Sequence, residues 1–165
     1  MIRILGIDPG SRTTGYGVIA KNGPELGFVA CGTIRTGGMK DFSARLFAIY
    51  QGICEVIEVH DPGVAAVEDL FVARNPRAAL KLGQARGAAV VAAMRHNLPV
   101  HDYSARMVKQ TVTGYGQAEK SQVQQMVRLL LDLDGAPSSD AADGLALAIC
   151  HASHMDTVGL TVETR

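Results

Sequence analysis

Four acidic residues offer the most chemistry in this sequence: Asp8 closes the apolar run ILGID, Glu68 closes VAAVE, and Asp140 and Asp143 stand three apart in SSDAADGLA. Each lies where an apolar segment meets a turn or a helix start. Folding can therefore deliver the carboxylates to one sheet edge while hydrophobic flanks hold the backbone. Gathered together, they form an oxygen-only donor set, which suits hard divalent cations such as magnesium or manganese better than zinc. A pair of ions at such a site suits phosphodiester hydrolysis, one lowering the pKa of the attacking water and the other stabilising the leaving 3′ oxygen of an in-line displacement. No side-chain nucleophile is then required, and no serine or cysteine stands in a recognisable nucleophile motif.

Singly, each acid has a commoner meaning. Asp8 before Pro9-Gly10 reads as a turn residue, Glu68 as a loop salt-bridge partner, and Asp140 as a helix N-cap with Asp143 at the third helical position. Asp140 and Asp143 would also share a helix face, near an N-terminus whose dipole favours their ionised forms. Joint occurrence changes the weighting. Two carboxylates ~5 Å apart at an effective dielectric of ~20 repel by about 3 kcal/mol, so convergence destabilises the fold unless cations offset it.

The elements that must position these acids follow from the hydrophobic pattern. Apolar runs at Ile2 to Ile7, Gly15 to Ala20 and Glu25 to Arg35, with turns at Pro9-Gly10 and Asn22-Gly23-Pro24, predict three antiparallel strands. Leu46, Ile49, Tyr50, Ile53 and Ile57 recur at helical spacing, predicting a helix over 43–60 with Ser43 as N-cap and Asp61-Pro62-Gly63 as the stop. Val64 to Val67 reads as a short buried strand. Residues 75–95 form a helix rich in alanine and glycine, suited to close approach of another backbone and so to a dimer contact. A strand at Pro99 to Tyr103, a helix over 104–113 and a glycine loop at 114–116 follow. Next come a helix with Val123, Met126, Val127 and Leu130 inward, and a last helix from about Asp140 to His151. The order βββαβαβααα predicts an α/β domain over residues 1–154, a mixed sheet with helices packed on it, and a loose tail over 155–165.

A chain of 165 residues, 47% apolar, fits one such core. No stretch reaches the ~18 apolar residues of a membrane span, and a strand begins at once without a signal-like segment, so a soluble cytoplasmic protein is expected. Cys31, Cys54 and Cys150 lack metal or redox spacing and are expected to be reduced and buried. The formal net charge is zero, so binding to nucleic acid has to rest on local charge. Gly114 to Ser121 resembles a phosphate loop but has Glu119 where that motif needs glycine. Its loop and Lys120, with Lys109 on the preceding helix, either contact phosphates or form a solvated connector. Arg74, Arg77 and Lys81 make one basic helical strip, and Phe71 is either a core plug or a base-stacking aromatic. His151 and His154 share a helix face without further ligands in their neighbourhood of sequence.

Four long blocks, ILGIDPGSRTTGYGVI, VEDLFVARNPRAALKLGQARG, VKQTVTGYGQAEKSQVQ and DAADGLALAI, closely resemble the RuvC Holliday-junction resolvases, in that family's order and almost end to end. The resemblance implies a ribonuclease H-like fold, with a five-stranded mixed sheet and helices on both faces. It implies that Asp8, Glu68, Asp140 and Asp143 form a catalytic tetrad holding two Mg2+ ions, with Mn2+ as a substitute. Phe71 is then expected to disrupt or stack on bases near the junction and Lys109 and Lys120 to approach scissile phosphates; apart from the resemblance, Arg12, Arg74, Arg77 and Lys81 are expected as further DNA contacts. A homodimer making paired symmetric nicks in four-way junction DNA, and work alongside the RuvA and RuvB branch-migration proteins in recombination and repair, are also implied. Two departures stand out: Asp69 beside the glutamate, and Gly144, in place of an alanine, expected to weaken the last helix slightly. An actin-like ATPase fragment and a non-catalytic junction-binding scaffold are the competing readings. The first lacks the length for two nucleotide-enclosing cores, and the second would require a broken tetrad.

Overall fold

Alternation along the strands decides which side of the sheet each residue serves, and with it where the acids go. The computed structural model describes residues 1–69 and 75–162, with side chains described through Met155. β1 (Ile2–Asp8), β2 (Thr13–Asn22) and β3 (Glu25–Arg35) form the expected antiparallel meander, with a register shift between Val18 and Ile19. α1 (Phe42–His60) leads to β4 (Val64–Glu68), and α2 (Pro76–Arg95) leads to β5 (Val100–Tyr103). α3 (Ala105–Thr113), α4 (Lys120–Leu130) and α5 (Ser139–Val162) complete the chain. The five strands lie in the order β3-β2-β1-β4-β5, with β1 parallel to β4 and β4 parallel to β5, giving the mixed sheet.

Successive side chains of a strand point to opposite faces. Leu5 and Ile7 of β1, with Ala65 and Val67 of β4, pack under α1 and α2 against Ile49, Ile53, Ala85 and Ala89. Ile4, Val64 and Ala66 pack on the other face against Leu145, Ala148 and Ile149 of α5, joined by Val108 of α3 and Val123 and Val127 of α4. Asp8 has the parity of Ile4, and Glu68 that of Val64 and Ala66. Both acids thus belong to the α5 face, at the carboxyl ends of neighbouring parallel strands.

α5 lies against the sheet backbone to backbone. A Cβ on Gly6 would stand 1.9 Å from the Gly144 carbonyl oxygen, and one on Gly15 would stand 1.9 Å from that of Asp140. This corrects the expectation for Gly144: its missing side chain lets α5 seat on β1 and β2, and an alanine Cβ there would meet the main chain of Tyr16 at 2.5 Å.

Other expectations shift locally. α1 is capped by Asp41, whose carboxylate accepts from the amides of Ser43 and Ala44 at 3.2 Å, and not by Ser43. Leu130 faces outward at 42% exposure while Leu131 enters the core at 5%, because Leu131 falls four residues after Val127 and eight after Val123 on the inward face. α5 continues to Val162, beyond the expected helix end at His151; no proline follows Pro137 to stop it. Cys150 is buried, but Cys31 and Cys54 are only half-buried, near the margins of the two cores.

Candidate active site

Parallel pairing of β1 with β4 ends at Ile7 and Val67, so the next residue on each strand, Asp8 and Glu68, stands beside the other where the strands run out. The carboxyl ends of parallel strands are where open α/β sheets bind ligands, because the chain turns away there and leaves a crevice. The two carboxyl groups lie close enough to perturb each other's acidity. The other pair comes from the first turn of α5. Ser138, not Asp140, caps this helix, its Oγ accepting from the Ala141 amide at 3.4 Å and its carbonyl from the Ala142 amide at 2.8 Å. That frees Asp140 from the capping role. Carboxylate oxygens of Asp8, Asp140 and Asp143 all lie within 4.8 Å of one another, and the three residues are half-buried.

The crowding is visible in the acidities. Asp8 is pushed up to about 8, first by burial and then by the charges of Glu68 and Asp143. Burial also raises Glu68, opposed by the Asp8 carboxyl beside it, with Asp143 raising it further and Lys120 and Lys109 pulling it down. Asp143 is raised by burial against the pull of Lys120. Without cations, the cluster therefore holds a proton at neutral pH that free carboxyls would release.

A cleft of about 200 Å³ opens over these acids, with Lys109 and Lys120 on its rim and Val108, Val123 and Leu147 in its apolar lining. Lys120 Nζ lies 3.1 Å from Asp143 Oδ2, and Asp143 is the main cause of its raised pKa. Both lysines reach one cleft because the α3–α4 turn is tightly held. Gly114 takes a left-handed φ of 78°, Thr113 Oγ1 donates to the Lys109 carbonyl at 2.8 Å, and the Ala118 amide donates to the Tyr115 carbonyl at 3.1 Å.

Among the described basic candidates, Arg12, Arg77 and Lys81 do not line this cleft. Arg12 is exposed on the β1–β2 turn, its carbonyl accepting from the Thr36 and Gly37 amides at 2.9 and 3.0 Å. Arg77 is exposed in the first turn of α2, and Lys81 Nζ sits 5.6 Å from the centroid of the Phe42 ring. Phe71 and Arg74 lie outside the described residues. The two α5 histidines are engaged elsewhere: His151 Nδ1 shares a hydrogen bond with the Tyr103 hydroxyl, and His154 Nδ1 bonds the Cys150 carbonyl, each at 2.8 Å. Asp69 is exposed, and its amide extends the β4–β5 pairing to the Tyr103 carbonyl at 2.8 Å.

One pair escaped the sequence reading. Arg86 of α2 donates from Nε to the Glu68 carbonyl at 3.0 Å and pairs with Asp102 of β5. The available signal was a lone arginine in the Ala/Gly-rich stretch GQARGAA and an aspartate inside a strand.

The comparisons with known proteins agree with one another. The family model described as Crossover junction endodeoxyribonuclease RuvC matches residues 4–151. A relative of that name from Citrifermentans bemidjiense is 58% identical over 149 residues, which cover 90% of this chain and 91% of that one. Another, from Cupriavidus metallidurans, is 54% identical over 158 residues, covering 96% and 87%. The solved T. thermophilus RuvC in complex with Holliday junction substrate superposes with a TM-score of 0.89 at 35% identity, over 96% of this chain and 97% of that one. The yeast mitochondrial Holliday junction resolvase, at 13% identity and a TM-score of 0.64, shares the fold. With its sheet, its acids and its sequence in accord, the chain belongs to the RuvC family of crossover junction endodeoxyribonucleases.

Proposed function

We propose that this chain is a structure-selective DNA endonuclease that resolves four-way junctions by paired symmetric nicks in recombination and repair, using two divalent ions per active site. The observation that carries the reading is the convergence of Asp8, Asp140 and Asp143 within 4.8 Å, with Glu68 lining the same cleft beside Asp8, in a chain of this family. The donor set fits hard cations: it offers only oxygen atoms, and burial, together with the neighbouring charges of Glu68 and Asp143, has already driven Asp8 to about 8. Asp8, Glu68, Asp140 and Asp143 would hold the ions, Mg2+ in the cell with Mn2+ able to substitute. Bound there, the ions would supply Lewis acidity for activating water and for stabilising the leaving 3′ oxygen.

The protein's own groups have separate tasks. Lys120, 3.1 Å from Asp143, can exchange that carboxylate for a substrate phosphate, and Lys109 offers a second cation on the same rim. The apolar lining from Val108, Val123 and Leu147 limits water at the cleft floor and strengthens these interactions. Phe71 stacks on an unpaired base near the crossover, and Arg12, Arg74, Arg77 and Lys81 hold phosphates of the arms. A two-fold homodimer supplies two sites for paired nicks. Its support is the outer side of α2, where Leu80, Val91 and Met94 are more than half exposed. The protein works with RuvA and RuvB in the bacterial cytoplasm, in keeping with bacterial relatives and with the lack, among the described residues, of a helix long and apolar enough to cross a membrane.

Incubation with a labelled four-way junction and the matching linear duplex, with Mg2+ or with chelator, tests the reading. Paired symmetric nicks in the junction alone, dependent on the cation, are expected. Binding without nicks in any divalent ion would favour the scaffold reading instead.

A further inference from the structure

We propose that Arg86 is a positioning residue for Glu68, acting together with Asp102 to tie α2 to the catalytic edge of the sheet; this rests on the tetrad reading above. The Arg86 side chain is 21% exposed. It follows Ala85, which is wholly buried in the core between α2 and the sheet, on a helix whose neighbouring inward positions are alanines. A long charged side chain in that setting needs polar partners, and two of its five N–H donors are engaged: Nε donates to the Glu68 carbonyl at 3.0 Å, and Nη2 pairs with the Asp102 carboxylate. In the β4–β5 register Val67 lies opposite Asp102 and Glu68 opposite Tyr103, so the guanidinium spans the last two rungs of the ladder.

The end of β4 is thereby held from two sides. The Asp69 amide bonds the Tyr103 carbonyl at 2.8 Å, fixing the strand to β5, while Arg86 fixes the Glu68 carbonyl to α2. The peptide that carries the Glu68 side chain is bonded at its oxygen and at the next residue's nitrogen. The direction in which that carboxyl leaves the strand, toward Asp8, follows from those anchors. Arginine suits the task because its planar fork serves a carbonyl and a carboxylate at once, whereas the single ammonium of lysine cannot reach both in fixed geometry. The same helix carries the exposed stripe proposed for the dimer, so the guanidinium links the dimer face to the cation site.

The test uses the full-length protein with Mn2+ alone as probe, comparing Arg86→Gln, Arg86→Lys, Asp102→Asn and Glu68→Gln. Partners that orient a metal ligand are worth at least about tenfold in affinity. Arg86→Gln is expected to weaken Mn2+ binding, measured by calorimetry without DNA, by about that factor. It should raise the Mn2+ concentration for half-maximal junction cleavage in parallel, with junction binding in chelator unchanged. Arg86→Lys should fall between Arg86→Gln and the parent. Asp102→Asn should weaken Mn2+ binding less than Arg86→Gln does, since the bond to the Glu68 carbonyl survives. Wild-type Mn2+ affinity in Arg86→Gln, with only a lowered melting temperature, would show a purely structural role and overturn the proposal. Loss of junction binding at unchanged Mn2+ affinity would also overturn it, as a DNA contact. If Glu68→Gln itself binds Mn2+ and cleaves normally, the tetrad reading fails and this inference with it; if Glu68→Gln fails while Arg86→Gln behaves as wild type, only this inference fails.

Discussion

Replacing Asp8 with asparagine should stabilise the cation-free protein while abolishing cleavage, and the size of the gain should depend on pH in a prescribed way. The unfolded chain ionises Asp8 near 3.8, whereas the folded chain holds its proton until about 8. Between these values the folded state binds about one proton more than the unfolded state, so stability declines as pH rises, by about 1.4 kcal/mol per pH unit. Carried from 3.8 to pH 7, that slope amounts to at most about 4 kcal/mol. Asp8→Asn removes this titration and keeps the size of the side chain. Its amide can donate to the Glu68 carboxylate, although part of the gain is lost as Glu68 and Asp143 readjust, leaving roughly 2 kcal/mol at pH 7. For a chain of this size that corresponds to a rise in Tm of roughly 4 to 8 °C. Thermal melts of both proteins in chelator, from pH 4 to pH 8, should give curves that nearly meet at the acid end and diverge steadily above it. A constant offset across pH, or a variant less stable than its parent at pH 7, would refute the view that these carboxyls are crowded enough to retain a proton. Adding Mg2+ should narrow or reverse the order, since the parent alone keeps all four ligands.

Two further expectations concern the cations and the seat of α5. Mg2+ or Mn2+ at ~10 times its dissociation constant should add about 1.4 kcal/mol of stability, and a melting temperature indifferent to either ion at concentrations that support cleavage would count against convergence of the acids. Gly15→Ala places a Cβ 1.9 Å from the Asp140 carbonyl oxygen, so α5 has to lift from β2. A loss of at least ~2 kcal/mol in urea unfolding, with weakened Mn2+ binding by the protein that remains folded, is expected, and an unchanged midpoint would show that α5 yields easily.

Much of the site was legible because its parts sit at boundaries that sequence marks well. Asp8 and Glu68 each end an apolar run, and strand parity then puts both on one face without knowledge of any contact. The helix-start aspartates were ambiguous, since Asp140 also suits an N-cap; a competing hydroxyl two residues earlier, on Ser138, resolves it, and only the backbone geometry shows which oxygen accepts. Pairings between distant segments were illegible for a similar reason. Nothing near Arg86 in sequence announces the Glu68 carbonyl, because main-chain acceptors leave no trace in residue type. Glycines misled in the opposite sense: intrinsic propensity makes Gly144 a weak point of a helix, but the distance of 2.5 Å from its absent Cβ to the Tyr16 backbone makes it a fitted contact.

That fit couples the site to unfolding. Half of the proposed ligand set rides on strand ends and half on the first turn of α5, and no side chain intervenes where the two backbones touch at Gly6 and Gly15. With no soft layer between them, parting the backbones that carry Asp140 and Asp143 from that of Asp8 would require α5 to lift as a body. Cation release by this route and loss of the helix become one event. Bound ions would then act as a latch across the seam between α5 and the sheet, lengthening the domain's lifetime against unfolding as well as shifting its equilibrium.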